Sequence, residues 1–339
     1  MNIAVLLGGI SSERNISLLS GRAITRALRE KGHSVKAIDP MRGADGLMTD
    51  EELDQVKAAE ITAAELKKFD PRKLMECINS DLFNDVEVVF IALHGKYGED
   101  GSIQTLLELR GIPYTGTNVL SSAIAMDKNM SKMLFASGGV STAPWIAITR
   151  EQFEDMDLIS EIRGELGRDL VIKANDQGST VGMYIVKNAH QDEIKEAIAK
   201  AGDFSDMVLI EKYIAGRELT VPVVGDEALP IIEIIPHEGF YDFTNKYTKG
   251  NTEYVCPADL SADVTDFVQN LAIAAHRSLG CSVLSRVDFR LDEDNQPFCL
   301  EVNTIPGFTE TSLVPKAAKE VGIEFGDLCE QIIELSRKK

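Results

Sequence analysis

The 339-residue chain has no apolar run approaching the ~20 residues that a membrane-spanning helix needs, so no transmembrane segment is expected. Positive charge is scarce: 35 Lys and Arg stand against 54 Asp and Glu, a formal net charge of −19. That balance argues against nonspecific nucleic-acid binding and against an anionic membrane surface as partner. It leaves room for a locally positive site that holds a phosphate. The five cysteines (Cys77, Cys256, Cys281, Cys299 and Cys329) are an odd number without CxxC spacing, which points to reduced thiols in a cytoplasmic protein. The five histidines (His33, His94, His190, His237 and His276) form no metal-ligand spacing, so zinc is not expected. Residues 1–7 lead into an apolar strand without a charged n-region or cleavage site, so no signal peptide is expected. No internal repeat or low-complexity tract is evident.

What is present is a globular composition, 44% hydrophobic and 26% charged, on a chain long enough for two or three domains. The first third alternates strand and helix: a buried strand over 3–7, a helix with Ile16, Leu19, Ala23, Ala27 and Leu28 on one face, and a strand over 34–38 after Gly32. An apolar run over 86–93 suits the centre of a parallel sheet, a helix comes next over 103–110, and 113–115 reads as one more strand. A doubly wound α/β sheet is the expectation. Residues 41–66 form an acidic excursion without assigned chemistry, and Asp70-Pro71 opens a helix reaching about Ile78. Residues 121–137 read as one helix ended by Gly138-Gly139. Beyond it lies an α+β module with strands over 145–149, 170–173, 181–186 and 208–211 and helices over 151–164 and 191–201. Paired strands over 218–224 and 229–235, a polar loop over 239–252, a helix over 262–279, a hairpin and closing helices from about Leu313 complete the chain.

The hairpin is residues 284–307, LSRVDFRLDEDNQPFCLEVNTIPG, with its turn at 292–296. Alternation along a strand puts Arg286 and Asp288 on one face, and likewise Glu301 and Asn303. Two carboxylates and an amide converging on one point make an oxygen cage of the kind Mg²⁺ prefers, especially when phosphates complete it. Both acids interrupt apolar runs, where an unpaired charge is costly. Arg286 would stand beside whatever anion the metal holds.

Other stretches carry chemistry less specifically. LLGGISSERNIS (6–17) places small residues at a helix N-terminus, a natural anion site, but it is not GxGxxG. Glu13 in that loop is open to two readings, a first-turn carboxylate favoured by the helix dipole or a carboxylate gripping a substrate amine. HGKYGEDGS (94–102) lies at the carboxyl end of the most buried strand, where open α/β sheets bind ligands, which favours a ligand-facing His94. Lys173 precedes a Gly/Ser loop over 175–180 that could fold over phosphates as a lid; no GK[ST] opens a helix there. Lys128 is its candidate companion. In VLIEKYIAGRELTV (208–221) an apolar lining would suit an adenine and Glu218 a ribose hydroxyl, while an ordinary exposed hinge fits equally well.

Taken together, LLGGISSERNIS, ALHGKYGEDGSIQ, YTGTNVLSSAIAMDK, VIKANDQGSTVGM, LIEKYIAGRELTV, YDFTNKYTKGNTEYVCPA, SRVDFRLD and LEVNTIPGFTETSLVPKAA occur in an order that resembles the D-alanine–D-alanine ligases of the ATP-grasp superfamily, nearly end to end. The resemblance implies an ATP-grasp architecture: a doubly wound N-terminal substrate domain (1–118), a small central domain with a lid loop (119–211) and a C-terminal metal-site domain (212–339), the last two sandwiching ATP. It implies that Lys128 and Lys173 bind phosphates, that Glu211, Lys212 and Ile214 line the adenine pocket, and that Glu218 holds the ribose. Asp288, Glu301 and Asn303 would coordinate two Mg²⁺ (or Mn²⁺) ions. Glu13 would bind the amine of the first D-alanine and His94 lie near its carboxylate, and Ser312 and Leu313 would hold the carboxylate of the second. Arg286 and the Gly307 backbone would stabilise the tetrahedral intermediate, with Ser179 and Tyr247 joining Glu13 in a closing network. Tyr247 favours a dipeptide product over a depsipeptide. The same resemblance suggests a homodimer. The 41–85 excursion is longer than in compact members, and FTETS (308–312) departs from the expected form at the second subsite.

Three other classes compete. A different ATP-grasp ligase would share Lys128, Lys173, Asp288, Glu301 and Asn303 without needing Glu13, Tyr247 and Ser312 together. A nucleotide-binding regulator without turnover would not need intact metal ligands. A dinucleotide-dependent oxidoreductase would need the GxGxxG that is missing.

Overall fold

The computed structural model describes residues 1–57, 63–66, 68–237 and 251–339. Side-chain alternation on β1 (Asn2–Leu6) divides the N-terminal unit into two layers, Ile3 and Val5 entering one core and Ala4 and Leu6 the other. β1 lies between β2 (Ser34–Ile38) and β3 (Val88–Ile91) in a parallel sheet. The strand expected over 113–115 is a single bridge from Tyr114 to Val89, because the chain turns away at Gly116, where φ is 89°.

Helix α1 (Arg14–Glu30) packs on this sheet through a face that keeps Ala27 and Leu28 of the expected one but not Ile16 and Leu19. Ser17, Ser20, Gly21, Ile24 and Leu28 are buried, and their small members let the helix approach closely; Ile16 and Leu19 turn to a cavity. The acidic excursion contains a 3₁₀ turn (Pro40–Asp45), α2 (Asp50–Asp54) with a Thr49/Glu52 capping box, and α3 (Ala63–Leu66). α4 (Arg72–Ile78) and α5 (Ser102–Arg110) cover the far face, and Gly111, at φ 72°, ends α5.

The single helix expected over 121–137 is two, α6 (Val119–Met126) and α7 (Lys128–Ser137). Asp127 breaks the run: its backbone is extended and its carboxylate accepts from Met130 N at 2.9 Å, so it starts a new helix. That break puts Lys128 in a first turn.

The central unit is an antiparallel sheet in the order β4 (Trp145–Thr149), β7 (Met207–Lys212), β5 (Leu170–Ala174), β6 (Met183–Val186), backed by α8 (Met156–Leu166) and α9 (Gln191–Gly202). Helix α8 starts later than 151 because Asp155 caps it after a 3₁₀ turn at Arg150–Gln152. The last sheet has the order β11 (Thr252–Val255), β10 (Ile232–Pro236), β8 (Arg217–Val224), β12 (Leu284–Leu291), β13 (Pro297–Asn303), with β9 (Glu227–Ala228) on β8. α10 (Ala262–Ser278) covers its rear, and α11 (Leu313–Glu320) with α12 (Phe325–Ser336) shares a core with the N-terminal sheet. Among the described residues no helix is long and apolar enough to cross a membrane.

The β12/β13 register fixes the site. Arg286 pairs with Asn303 and Asp288 with Glu301, so all four side chains share one face, as alternation predicted. A bulge comes next, with Phe289 opposite Cys299 and Leu300 left over. Phe289 and Cys299 stay in the core while Leu300 joins Glu301 on the open face.

Candidate active site

Two cavities meet above that face. A smaller one of about 120 Å³ lies between the central and C-terminal sheets, with Val171, Ile185, Tyr213, Ile214 and Leu300 as its apolar walls. A larger one of about 1040 Å³ lies under the N-terminal unit and is lined by Glu13, His94, Arg286, Gly307, Ser312 and Leu313. Lys128, Glu301 and the loop around Gly178 and Ser179 line both.

In the smaller cavity Lys173 closes β5 and meets Glu211 of β7 at 2.6 Å. Burial alone would lower the Lys173 ammonium, but Glu211 outweighs it and leaves the group above its ordinary value. Burial likewise opposes ionisation of Glu211, yet Lys173 and Lys132 hold it down at about 2. Lys128 Nζ donates to Gln177 O at 2.5 Å and stands 3.7 Å from Glu301 Oε2. Glu218 accepts from Arg290 at 3.2 Å, and Arg290 also donates to Ile214 O and Gly216 O, holding the 214–216 segment against β12.

Arg286 and Asp288 straddle the boundary, Arg286 lining the larger cavity and Asp288 the smaller. The guanidinium grips Asp288 by two hydrogen bonds, Nε to Oδ1 at 2.9 Å and Nη2 to Oδ2 at 2.8 Å, and Thr220 Oγ1 donates to Oδ1 at 2.5 Å. The Asn303 side-chain oxygen accepts from Ile305 N at 2.9 Å, which orients it. The donor set of Asp288, Glu301 and Asn303 is all oxygen, suited to a hard cation with phosphates as further ligands. Among the described residues no group of three or more His, Cys, Asp or Glu side chains gathers as a complete cage.

In the larger cavity Glu13 sits at the N-cap of α1, where Ser179 Oγ donates to its Oε1 at 2.5 Å. Ser11 ties this loop to its neighbour by donating to His94 O at 2.6 Å. Both ring nitrogens of His94 are used within the protein. Nδ1–H donates to Ile305 O at 2.8 Å, so Nε2 accepts from Ser20 Oγ at 3.3 Å, and Ser20 Oγ accepts from Phe308 N at 3.1 Å. Burial lowers the imidazole below its ordinary value despite the Glu13 charge. His94 therefore braces the 305–308 segment beneath Gly307. Gly95, at φ 67°, brings its backbone within reach of Ser11 and Glu13, and an added Cβ would come 2.9 Å from Ser11 Cβ. Glu99 accepts from Gly95 N at 3.0 Å, and burial, then Glu13, push its carboxyl well above the ordinary range. Ser312 occupies the N-cap position of α11 at the cavity wall, its hydroxyl turned back to accept from Thr309 N at 2.9 Å rather than from the helix.

The expected residues Glu13, His94, Lys128, Lys173, Ser179, Glu211, Lys212, Ile214, Glu218, Arg286, Asp288, Glu301, Asn303, Gly307, Ser312 and Leu313 thus all border the two cavities. Tyr247 lies outside the described residues. Sequence reasoning missed Arg290, which the alternation used for Arg286 and Asp288 would have found, Thr220, two residues beyond Glu218 on β8, and Lys132 and Glu99, for which no pattern signal exists.

Comparison with known proteins identifies the family. Residues 2–117 match the model of the D-ala D-ala ligase N-terminus and residues 134–334 that of its C-terminus. A D-alanine--D-alanine ligase from Magnetococcus marinus is 41% identical over 338 residues, 99% of this chain and 98% of that protein. The crystal structure of the Bacillus anthracis D-alanine--D-alanine ligase complexed with ATP superposes with a TM-score of 0.76 at 32% identity, covering 100% of this chain and 98% of that one. A D-Ala:D-Ser ligase from Enterococcus faecalis gives a TM-score of 0.76 at 29% identity over 99% of both chains. With both family models matched in order and near-complete coverage by relatives, the chain belongs to the D-alanine–D-alanine ligase family.

Proposed function

We propose a residue-by-residue placement of the ligase reaction, the ATP-dependent joining of two D-alanine molecules for peptidoglycan synthesis that the family performs. The nucleotide occupies the smaller cavity and the two D-alanines the larger, with the γ-phosphate at the shared boundary. The observation carrying this placement is that Lys128, Glu301 and the Gly178–Ser179 loop line both cavities at once.

The smaller cavity suits an adenine. Part of its wall is apolar (Val171, Ile185, Ile214 and Leu300), and Glu211 beside it keeps a buried oxygen, Oε1, whose neighbour is the Lys132 ammonium at 2.9 Å and which takes no well-directed hydrogen bond. Glu211, Lys212 and Ile214 would line the base, Glu218 would hold the ribose, and Lys128 and Lys173 the phosphates. Asp288, Glu301 and Asn303 would hold two Mg²⁺ or Mn²⁺ ions, whose chemistry there is neutralisation of phosphate charge.

A carboxylate is a poor acyl electrophile because its leaving group would be oxide. An oxygen of the first D-alanine carboxylate forms a bond to the γ-phosphorus and ADP departs, giving D-alanyl phosphate with a competent leaving group. Glu13 holds this alanine's ammonium, while His94 keeps the 305–308 wall in place. The ammonium of the second D-alanine first loses a proton; the free amine attacks the acyl carbon, the C–O bond to phosphate breaks, and the phosphate leaves as hydrogen phosphate with the second N–H proton. Arg286, fixed by Asp288, and the Gly307 N–H stabilise the oxyanion, and Ser312 and Leu313 hold the second carboxylate. Ser179 and Tyr247 complete the closure, which keeps water from the acyl phosphate.

The domain limits 1–118, 119–211 and 212–339, a homodimer and a cytoplasmic location belong to the same proposal. The three separate sheets support a division into three units. The deciding assay is ADP release with D-alanine, D-lactate, D-serine and L-alanine in Mg²⁺, with products identified by mass. D-Alanine-dependent ADP release and the dipeptide mass are expected; ADP release independent of D-alanine would sink the placement. Light scattering of the purified chain tests the dimer.

A further inference from the structure

Lys132 lies one helical turn beyond Lys128 on α7 and is 0% exposed, an unusual state for lysine. Its ammonium donates to Thr142 Oγ1 at 2.6 Å and to Ala143 O at 3.0 Å, stands 2.9 Å from Glu211 Oε1, and lies 5.2 Å from the centre of the Trp145 ring. Two strong donations therefore point away from Glu211, which receives the charge but no well-directed hydrogen bond at Oε1. The other oxygen, Oε2, is committed to Lys173 at 2.6 Å. Glu211 is thus a charged carboxylate on a residue that lines the cavity, with Oε2 anchored by Lys173 and Oε1 buried beside the Lys132 ammonium.

From this arrangement we infer that Lys132 is the positioning residue that keeps Glu211 an acceptor-only reader of the purine 6-position, making a 6-amino base preferred to a 6-oxo base. The inference rests on the proposal that the base occupies the smaller cavity. A 6-amino group donates N–H to a carboxylate oxygen, whereas a 6-oxo group brings lone pairs against it. Discrimination of this kind requires that Glu211 stay ionised and that Oε1 stay in place. Burial opposes the first, and Lys132 with Lys173 reverses it. For the second, Lys132 anchors its charge outside the pocket. Thr142 passes the link on by donating to Cys299 O at 2.7 Å, beside the bulge that turns Leu300 and Glu301 to the open face. With Lys132 gone, the lone Lys173 would be shared between both oxygens, and a protonated Glu211 could itself donate to a 6-oxo group.

The test compares ATP with inosine triphosphate in the wild type, Lys132→Met and Glu211→Gln, measuring kcat and KM for each nucleotide and KM for D-alanine. Losing a charge-supported contact predicts that Lys132→Met raises KM for ATP roughly 10-fold and narrows the ATP-to-ITP preference by a similar factor, with KM for D-alanine nearly unchanged. Glu211→Gln, whose amide can donate, should narrow the preference as well. A preference unchanged in Lys132→Met but narrowed in Glu211→Gln would reduce Lys132 to packing and overturn the inference alone. A preference unchanged in Glu211→Gln would overturn the placement of the base itself. Thr142→Val removes the hydroxyl that aims the ammonium and that donates to Cys299 O, and decides the matter if Lys132→Met does not fold: a narrower preference with kcat for ATP unchanged supports the inference, while an unchanged preference, or a fall in kcat that points to the displaced bulge, rejects it.

Discussion

Ser179 Oγ donates to Glu13 Oε1 at 2.5 Å, joining the loop after β5 to the first turn of α1 from opposite sides of the larger cavity. Ser179 and Thr180 hold φ values of 49° and 61°, a left-handed conformation that non-glycine residues adopt at a cost, so the contact helps hold a strained loop closed. Ser179→Ala should lower kcat/KM for D-alanine about 10- to 100-fold, the equivalent of one charge-assisted hydrogen bond. The more specific outcome is uncoupling: a lid that closes poorly admits water to the acyl phosphate, so ADP release should exceed dipeptide formation. A one-to-one ratio of the two in the variant would show that this contact does not seal the site.

Glu301 shares its cavity edge with Lys128 and pairs across the sheet with Asp288. Glu301→Gln keeps the shape and removes the charge. Turnover should fall by roughly 100-fold or more, as when a ligand to a catalytic metal is lost, and more Mg²⁺ should be needed for what remains. The fold should persist, since Glu301 faces the cavity rather than a core, and calorimetric Mn²⁺ titration should show weaker binding. Full activity at unchanged Mg²⁺ demand would move the metal elsewhere.

The shared face of Arg286, Asp288, Glu301 and Asn303 was legible because a strand's two-residue period is rigid and the hairpin pairs Asp288 with Glu301. Leu300 was not legible, because a bulge inserts a residue without a sequence mark and shifts the alternation of its strand. Helix α1 was legible in its second half, where Ala27 and Leu28 are buried, but not in its first. Its apolar positions Ile16 and Leu19 look like a core face, yet the sheet-facing side uses Ser17, Ser20 and Gly21, whose small size permits contact that larger residues would prevent. Asp127 hid the break between α6 and α7 by sitting inside a helical run as a cap. Lys132 was the least visible of all. A lysine in a short helix reads as solvated, and only the fold reveals Thr142, Ala143 and Glu211 around it.

His276 supplies a pH dependence outside the site. It is buried on α10, its Nδ1 lies 2.7 Å from Ser285 Oγ, and burial lowers its pKa to about 4. The unfolded chain binds a proton near pH 6.5 and the folded one does not until about 4, so the stabilisation is whole above 6.5 and is lost as pH falls through that window. The full span amounts to about 3 kcal/mol. Denaturant midpoints measured from pH 7 to 4.5 should fall, and His276→Gln should flatten the decline. An equal slope in both proteins would assign the acid sensitivity to other groups.

Gly21 gives the last prediction, one that separates packing from chemistry. It lies in the middle of α1, where a glycine weakens a helix, and an added Cβ would sit 2.3 Å from Leu7 Cβ. Alanine gains up to about 1 kcal/mol in helix propensity, but the overlap forces α1 away from β1 at a cost of about 1–3 kcal/mol. The steric cost should win, and Gly21→Ala should unfold at lower denaturant. Because α1 also carries Glu13, Ile16 and Leu19 to the larger cavity, a shifted helix should raise KM for D-alanine. The smaller cavity is built from other elements, so KM for ATP should hold steady. A rise in both constants together would mean that the two cavities do not divide the substrates between them.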